Sequence, residues 1–176
     1  MRYLLLRLKR FCGYIVGFVF FISGILKLMD PVGAGLVVEE YYRFMHIGFM
    51  DFSSKLMGTV FAFAEAIIGT GLITGVWRRT TALTAICIQT AFTLLTLALV
   101  IFNPEMDCGC FGEAIHLTHM ETFGKNIILL TLLLVYYIPR KHLGQTTKKK
   151  YISFSVVATS VLAFTIFSWM FKPLVE

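Results

Sequence analysis

The sequence has no internal repeat, no low-complexity segment and few charged residues, which make up 15% of its 176 positions. The first two absences argue against a solenoid of stacked repeats and against a disordered linker protein. A soluble domain contains about 25% charged residues, so the low charge also argues against a soluble core. Instead, 57% of the residues are hydrophobic and the mean hydropathy is +0.79. This composition is typical of an integral membrane protein.

The basic N-terminal segment lacks the small-residue cleavage site that ends a secretory signal peptide. The apolar run that follows it, residues 11–28, is longer than the usual apolar region of such a signal. We therefore expect this run to be a retained membrane span. Basic residues of membrane proteins gather in cytoplasmic loops. The net charge of +6 therefore indicates membrane topology and not nucleic-acid binding.

Five apolar stretches are long enough to cross a bilayer, which requires about 20 apolar residues in a helix. They are residues 11–28, 56–76, 80–102, 122–138 and 151–171. We predict an all-α integral membrane protein, a four-helix transmembrane bundle plus a fifth C-terminal transmembrane helix. Residues 1–140 are expected to form the bundle, 141–150 a basic cytoplasmic linker, and 151–176 the additional helix with a short outer tail.

Lysine and arginine are distributed unequally between the two predicted faces. One face receives the N-terminus, the link at residues 78–79 and the link at 140–150, all of them basic, whereas residues 103–121 contain no lysine or arginine. The positive-inside tendency assigns the basic face to the cytoplasm. The sequence therefore predicts a cytoplasmic membrane protein with its N-terminus inside and its C-terminus outside, and with residues 103–121 on the outer face.

The outer segment between the first two spans is expected to be partly structured. Asp30-Pro31 should stop the first span, because proline disfavours helix in the residue before it. Val37, Tyr41 and Met45 then recur at helical spacing, which indicates a short helix lying on the membrane surface.

Two cysteines, Cys108 and Cys110, lie on the predicted outer face with one glycine between them. A thiol pair can cycle between dithiol and disulfide, and disulfides persist outside the cytoplasm. We predict that this pair is a redox-active site, with a static turn bridge or two idle thiols as the alternatives. Cys12 and Cys87 lie toward the other face, and we expect them to be small apolar core residues, with a transmembrane thiol relay as the alternative.

The same stretch has a second interpretation as a metal site. Cys108, Cys110, His116 and His119 place two thiols and two imidazoles within twelve residues, a ligand set that suits copper or zinc. The one-residue separation of the cysteines differs from the usual two to four residues of structural zinc sites. If no metal binds, the histidines are loop or interface residues.

Glu65 lies near the middle of the second span. A charge at the bilayer centre costs about 2.5–3.5 kcal/mol, so such a residue normally faces the protein interior and has a partner. Gly58, Ala62 and Gly69 share its helical face and form a strip of small residues that lets helices approach closely. Glu65 is therefore expected to point into the bundle, either as a proton or quinone-headgroup contact or as a protonated packing residue.

Depth in the membrane suggests a partner for Glu65. With a rise of about 1.5 Å per residue, Gln89 in the third span lies at a similar depth, whereas Lys27 lies about 10 Å nearer the outer rim. Lys27 is expected to extend to the surface or to pair with Asp30. Gln89 is therefore the predicted partner of Glu65.

Several short motifs together resemble a known family. They are Phe20-Phe21-Ile22-Ser23-Gly24-Ile25-Leu26-Lys27, Asp30-Pro31, Glu40-Tyr41, Glu65 with Gly69, Asp107-Cys108-Gly109-Cys110-Phe111-Gly112, and Lys125-Asn126. This set resembles the DoxX-like superfamily, and specifically its MauE branch, over residues 12–138. In that resemblance Cys108 and Cys110 match the thiol motif, and Lys27, Asp30 and Glu65 match the polar positions.

The resemblance implies a four-helix membrane bundle and a role in disulfide handling. MauE is an accessory protein of methylamine utilisation, associated with maturation of the disulfide-rich small subunit of methylamine dehydrogenase, and DoxX is similar to a subunit of a quinone-linked oxidoreductase. We therefore expect a membrane thiol–disulfide oxidoreductase that uses Cys108 and Cys110 on an extracytoplasmic thiol or thioredoxin-like protein. Electrons would pass to or from a quinone near Lys27, Glu65 and Gln89. A non-catalytic assembly factor and a copper or zinc handler are the alternatives.

Overall fold

The structure, a computed structural model, describes residues 2–46, 53–102, 118–137 and 148–170. These residues form six α-helices and no strand: α1 (Arg2–Met29), α2 (Pro31–Phe44), α3 (Ser54–Thr74), α4 (Arg78–Phe102), α5 (His119–Tyr137) and α6 (Lys148–Met170). All except α2 are long and apolar enough to cross a membrane. The prediction of an all-α integral membrane protein with five spans is confirmed.

All five spanning helices begin before the predicted spans, and two of these early starts have a clear local cause. α1 begins at Arg2, nine residues before the predicted start, because a helix continues through basic residues that an apolar span excludes. α5 begins at His119, three residues early, because Thr118 and Glu121 form a capping box. The amide of Glu121 donates to Thr118 Oγ1 at 3.3 Å, and the amide of Thr118 donates to Glu121 Oε2 at 3.0 Å.

Asp30 separates α1 from α2, as predicted. Its carboxylate accepts a hydrogen bond from the amide of Gly33 at 2.9 Å, and Pro31 occupies the first turn of α2. The expected short helix exists, but it is packed onto the bundle. A Cβ atom at Gly58 of α3 would lie only 2.7 Å from the carbonyl oxygen of Ala34, so α2 rests directly on the backbone of α3.

Small residues also bring α1 and α3 into close contact. A Cβ atom at Gly24 would lie 2.6 Å from the carbonyl oxygen of Ala62, and one at Gly69 would lie 2.5 Å from the amide nitrogen of Phe21. Both distances are shorter than van der Waals contact, so the two backbones touch. The predicted strip of small residues along the Glu65 face of α3 is confirmed, and it packs against both α1 and α2.

α6 lies outside the bundle of α1, α3, α4 and α5 and packs against α1 and α3. Ser168 of α6 donates a hydrogen bond to the carbonyl oxygen of Leu28 at 2.6 Å, and Trp169 Nε1 donates to Thr59 Oγ1 at 3.0 Å. We call this end of the molecule, where α2 also lies, the α2 end. Most of the remaining surface of α6 is exposed.

The other end of the molecule carries the basic residues of α1, α4 and α6, and we call it the basic end. Trp77, in the turn between α3 and α4, contacts the rings of Tyr151 and Phe154 there, with centroid distances of 6.4 and 6.2 Å. The ring of Tyr136 fills the space beside Gly13 at the same end, where a Cβ atom would lie 2.6 Å from it.

The two cysteines in the spans occupy different environments. Cys12 is 5% exposed and belongs to the core, as predicted. Cys87 is exposed, so the prediction that it is a core residue is wrong. It lies on the same face of α4 as Leu83 and Leu94, which are also exposed, because α4 packs against α5 and α3 through its other faces.

The close contact of α1 with α3 predicts a steric effect of substitution at Gly69. Gly69→Ala should lower the free energy of unfolding by about 1–3 kcal/mol, because the added methyl group forces the two backbones apart. Gly124→Ala is the matched control, since nothing lies within 4 Å of a Cβ atom at that position, and it should be neutral or stabilising by less than about 1 kcal/mol. Unfolding in mixed detergent micelles measures both, and equal effects would contradict the packing argument.

Candidate functional site

A cavity of about 480 Å³ lies between α1, α2, α3, α4 and α5. It extends from Met45 and Met57 toward the α2 end to Ile88 and Leu129 in the middle of the bundle. Most of its wall is apolar, and the polar side chains that line it are Ser23, Lys27, Tyr41, Tyr42, Glu65, Gln89, Thr96, Lys125 and Asn126. Such a cavity suits a ligand with an apolar body and a small polar group.

A buried ion pair joins α1 and α3 at the cavity wall. Lys27 Nζ lies 2.8 Å from both carboxylate oxygens of Glu65, and Ser23 Oγ donates a hydrogen bond to Oε2 at 2.9 Å. The side chains of Lys27 and Glu65 are 11% and 7% exposed. Glu65 therefore points into the bundle, as predicted, but the prediction that Gln89 is its partner is wrong, and so is the placement of Lys27 at the rim.

The direction of the side chains explains why Lys27 reaches Glu65. Side chains of a helix lean toward its N-terminus. α1 runs from the basic end to the α2 end, so the side chain of Lys27 leans inward, away from the rim. α3 runs the opposite way, so Glu65 leans toward Lys27. The two leaning side chains bridge the difference in depth between the backbone positions.

Gln89 belongs to a second polar cluster, which joins α4 and α5. Its Nε2 donates to Asn126 Oδ1 at 3.1 Å and to the carbonyl oxygen of Asn126 at 3.3 Å. Asn126 Nδ2 in turn donates to Thr96 Oγ1 at 3.2 Å. All three residues are buried. The sequence contained a signal for this contact, because an asparagine inside an apolar span needs a partner for the same reason as a charged residue.

The two polar clusters face the same cavity from different helix pairs. Lys27, Glu65 and Gln89, the three residues predicted to contact a cofactor, all line it. Lys27 Nζ also lies 5.8 Å from the ring centroid of Phe92 on α4, a distance at which the ammonium interacts with the ring. The cavity thus offers a charged donor, a carboxylate and an amide within an otherwise apolar space.

The predicted thiol and metal residues fall largely in residues 103–117, so Cys108, Cys110 and His116 lie outside the described residues. His119, the first residue of α5, is half-buried. α4 ends at the α2 end, where the ring of Phe102 contacts that of Phe44 at 5.9 Å. The cysteine-containing segment therefore connects two helices that both line the cavity.

The buried ion pair predicts strong coupling between its two members. Lys27→Met should lower the free energy of unfolding by about 3–5 kcal/mol, because it leaves Glu65 charged and unpaired in the bundle. Adding Glu65→Leu should recover most of that loss, since an apolar pair needs no counter-charge.

The exposed pair of Glu39 and Arg43 on α2 provides the control. Glu39→Gln should change the stability by less than about 0.5 kcal/mol. The measurement is a double-mutant cycle in mixed micelles. Additive losses for Lys27→Met and Glu65→Leu would show that the ion pair does not couple α1 to α3.

Comparison with known protein families finds a match over most of the chain. The family model of methylamine utilisation protein MauE matches residues 2–139, a range that contains α1–α5 and leaves out α6. No curated protein and no solved structure matches the chain. The match covers most of the 176 residues, including every helix that lines the cavity. The chain therefore belongs to the family of methylamine utilisation protein MauE.

Proposed function

We propose that this protein is a membrane accessory protein of methylamine utilisation that exchanges disulfides with an extracytoplasmic thiol or thioredoxin-like protein through Cys108 and Cys110. One observation carries the proposal. α4 and α5, the helices on either side of the cysteine-containing segment, also form walls of the cavity that holds the buried ion pair. A thiol pair and a cavity for an electron carrier would then belong to one part of the molecule.

The exchange step proceeds through a mixed disulfide in either direction. When the partner is oxidised by the membrane protein, a thiolate of the partner attacks the Cys108–Cys110 disulfide and displaces one cysteine as a thiolate. A second partner thiolate then attacks the mixed disulfide, which leaves the partner with a disulfide and Cys108 and Cys110 as the reduced pair. Two electrons move from the partner to the membrane protein, and the reverse sequence reduces the partner.

A quinone in the cavity would supply the next electron transfer, because it takes up two electrons and two protons on reduction and returns them on oxidation. The residues of the cavity fit such a group. Apolar walls suit its ring and tail, and Lys27 can donate to a carbonyl oxygen while remaining paired with Glu65. Gln89, on the facing helix pair, is 2% exposed and lines the same space. We assign these three residues to binding and orienting the headgroup.

The charge distribution supports a bacterial cytoplasmic membrane location with the N-terminus inside. Arg10 and Arg78 lie at the basic end, which the positive-inside tendency places in the cytoplasm. The cysteine-containing segment starts from the α2 end, which is then the outer face, and the C-terminus is outside as well. Within this topology we assign residues 1–140 to a MauE unit of the DoxX-like superfamily, 141–150 to a basic linker, and 151–176 to an appended helix.

Thiol–disulfide exchange predicts that a Cys110→Ser variant accumulates a covalent adduct. The remaining Cys108 thiol should trap a mixed disulfide with an extracytoplasmic thiol protein, because the second attack that resolves it is lost. The adduct is measured as a reductant-sensitive mass shift on a non-reducing gel. Cys87→Ser is the matched control, since Cys87 is exposed on the lipid-facing side of α4, and it should trap nothing.

Thiol alkylation of membranes separates this function from its alternatives. Under the proposal, Cys108 and Cys110 change between reactive and protected states on addition of reductant or of quinone. Protection that responds to a chelator, and is lost on His116→Ala and His119→Ala, would assign the site to copper or zinc. A non-catalytic assembly factor would give a different result. Cys108 and Cys110 would not change state, and a variant with both cysteines replaced by serine would still support maturation of the partner.

A further inference from the structure

Three basic side chains from three helices converge at the basic end. Arg10 of α1 and Arg78 of α4 both act electrostatically on Lys150 of α6, and both act on the hydroxyl of Tyr136 of α5. Trp77, next to Arg78, contacts the ring of Tyr151, next to Lys150. The cations are therefore neighbours in space although they are far apart in the sequence.

The segments of the sequence that adjoin these cations carry no acidic residue. Residues 1–10, 75–79 and 138–150 contain no aspartate or glutamate. In the part of the chain that the structure describes, the ion pairs are those of Lys27 with Glu65 and of Arg43 with Glu39. Three like charges close together repel one another, so an anion bound between them would stabilise the cluster.

The guanidinium of Arg78 points to the position of that anion. Its Nη1 atom is buried and makes no hydrogen bond to any described residue. The side chain folds back over the turn between α3 and α4, where a Cβ atom at Gly75 would lie 2.9 Å from Nε. A buried charged donor without a partner is costly, so an acceptor is expected at this atom.

We propose that Arg78, with Arg10 and Lys150, binds the phosphate group of an anionic phospholipid. Arginine recognises phosphate through parallel hydrogen bonds, and basic pockets between membrane helices bind anionic headgroups. The surroundings favour a lipid over free phosphate. Trp77 is 62% exposed and Tyr151 is 40% exposed beside the cations, and such rings lie at the level of the headgroups with an acyl chain next to them.

The site has a consequence for α6, which lies outside the region that the MauE family model matches. Lys150 brings a third positive charge toward Arg10 and Arg78, which by itself opposes the docking of α6. A bound phosphate converts this repulsion into attraction to all three helices. The lipid thereby holds the basic end of α6 against the bundle, while Ser168 and Trp169 hold the α2 end.

The test compares lipid binding by purified full-length protein and an Arg78→Gln variant. Native mass spectrometry with phosphatidylglycerol and phosphatidylcholine should show a preference for the anionic lipid in the unmodified protein. Arg78→Gln should lower the affinity for phosphatidylglycerol about ten-fold, the effect of one charge-assisted hydrogen bond. Arg79→Gln is the matched control, because Arg79 is exposed and adjacent, and it should retain the preference.

Three further measurements complete the test. Arg78→Lys, which retains the charge, should recover part of the affinity, and melting temperatures in detergent show whether each variant is folded. Inorganic phosphate in large excess should not displace the lipid. The proposal is overturned by equal binding of the two lipids, by equal losses in Arg78→Gln and Arg79→Gln, or by phosphate that competes as well as the lipid.

Discussion

The ion pair between Lys27 and Glu65 constrains the whole bundle, because neither charge is tolerated in the membrane without the other. The pair forms only if α1 and α3 lie close together, and Gly24 and Gly69 permit that approach by omitting a side chain where the backbones touch. Ser23, in the same turn of α1, supplies a further donor to the carboxylate. The ion pair between α1 and α3 therefore depends on the small residues that let the two helices approach.

The cavity follows from the way the helices pair. α1 and α3 are joined by the ion pair, whereas α4 and α5 are joined by Gln89 and Asn126. Glu65 and Gln89 each bond within their own helix pair, and the space between the pairs is lined mostly by apolar side chains that do not fill it. α2 lies along this space and contributes Val37 and Tyr41 to its wall. A binding space thus arises in the bundle beside an ion pair whose charges balance each other.

Much of this arrangement was predictable from the sequence, because apolar length and helical periodicity determine spans and faces. The inward position of Glu65 and the strip of small residues around it follow from that periodicity alone. The partner of Glu65 did not follow, because the rise per residue gives the depth of a backbone position and not that of the end of a long, leaning side chain. Cys87 was misplaced for a different reason: an apolar helix has no polar face to show which side is left uncovered.

The charges of Lys27 and Arg78 are neutralised in different ways. Lys27 has a carboxylate on the neighbouring helix, so its charge is balanced inside the protein and is independent of the surrounding lipid. Arg78 has no acidic residue in the neighbouring segments of the sequence, and its buried Nη1 atom has no hydrogen-bond partner among the described residues. A membrane contains anions at its surface but not at its centre. A cation at mid-depth must therefore have an internal partner, whereas one at the headgroup level can depend on the membrane for its counter-charge.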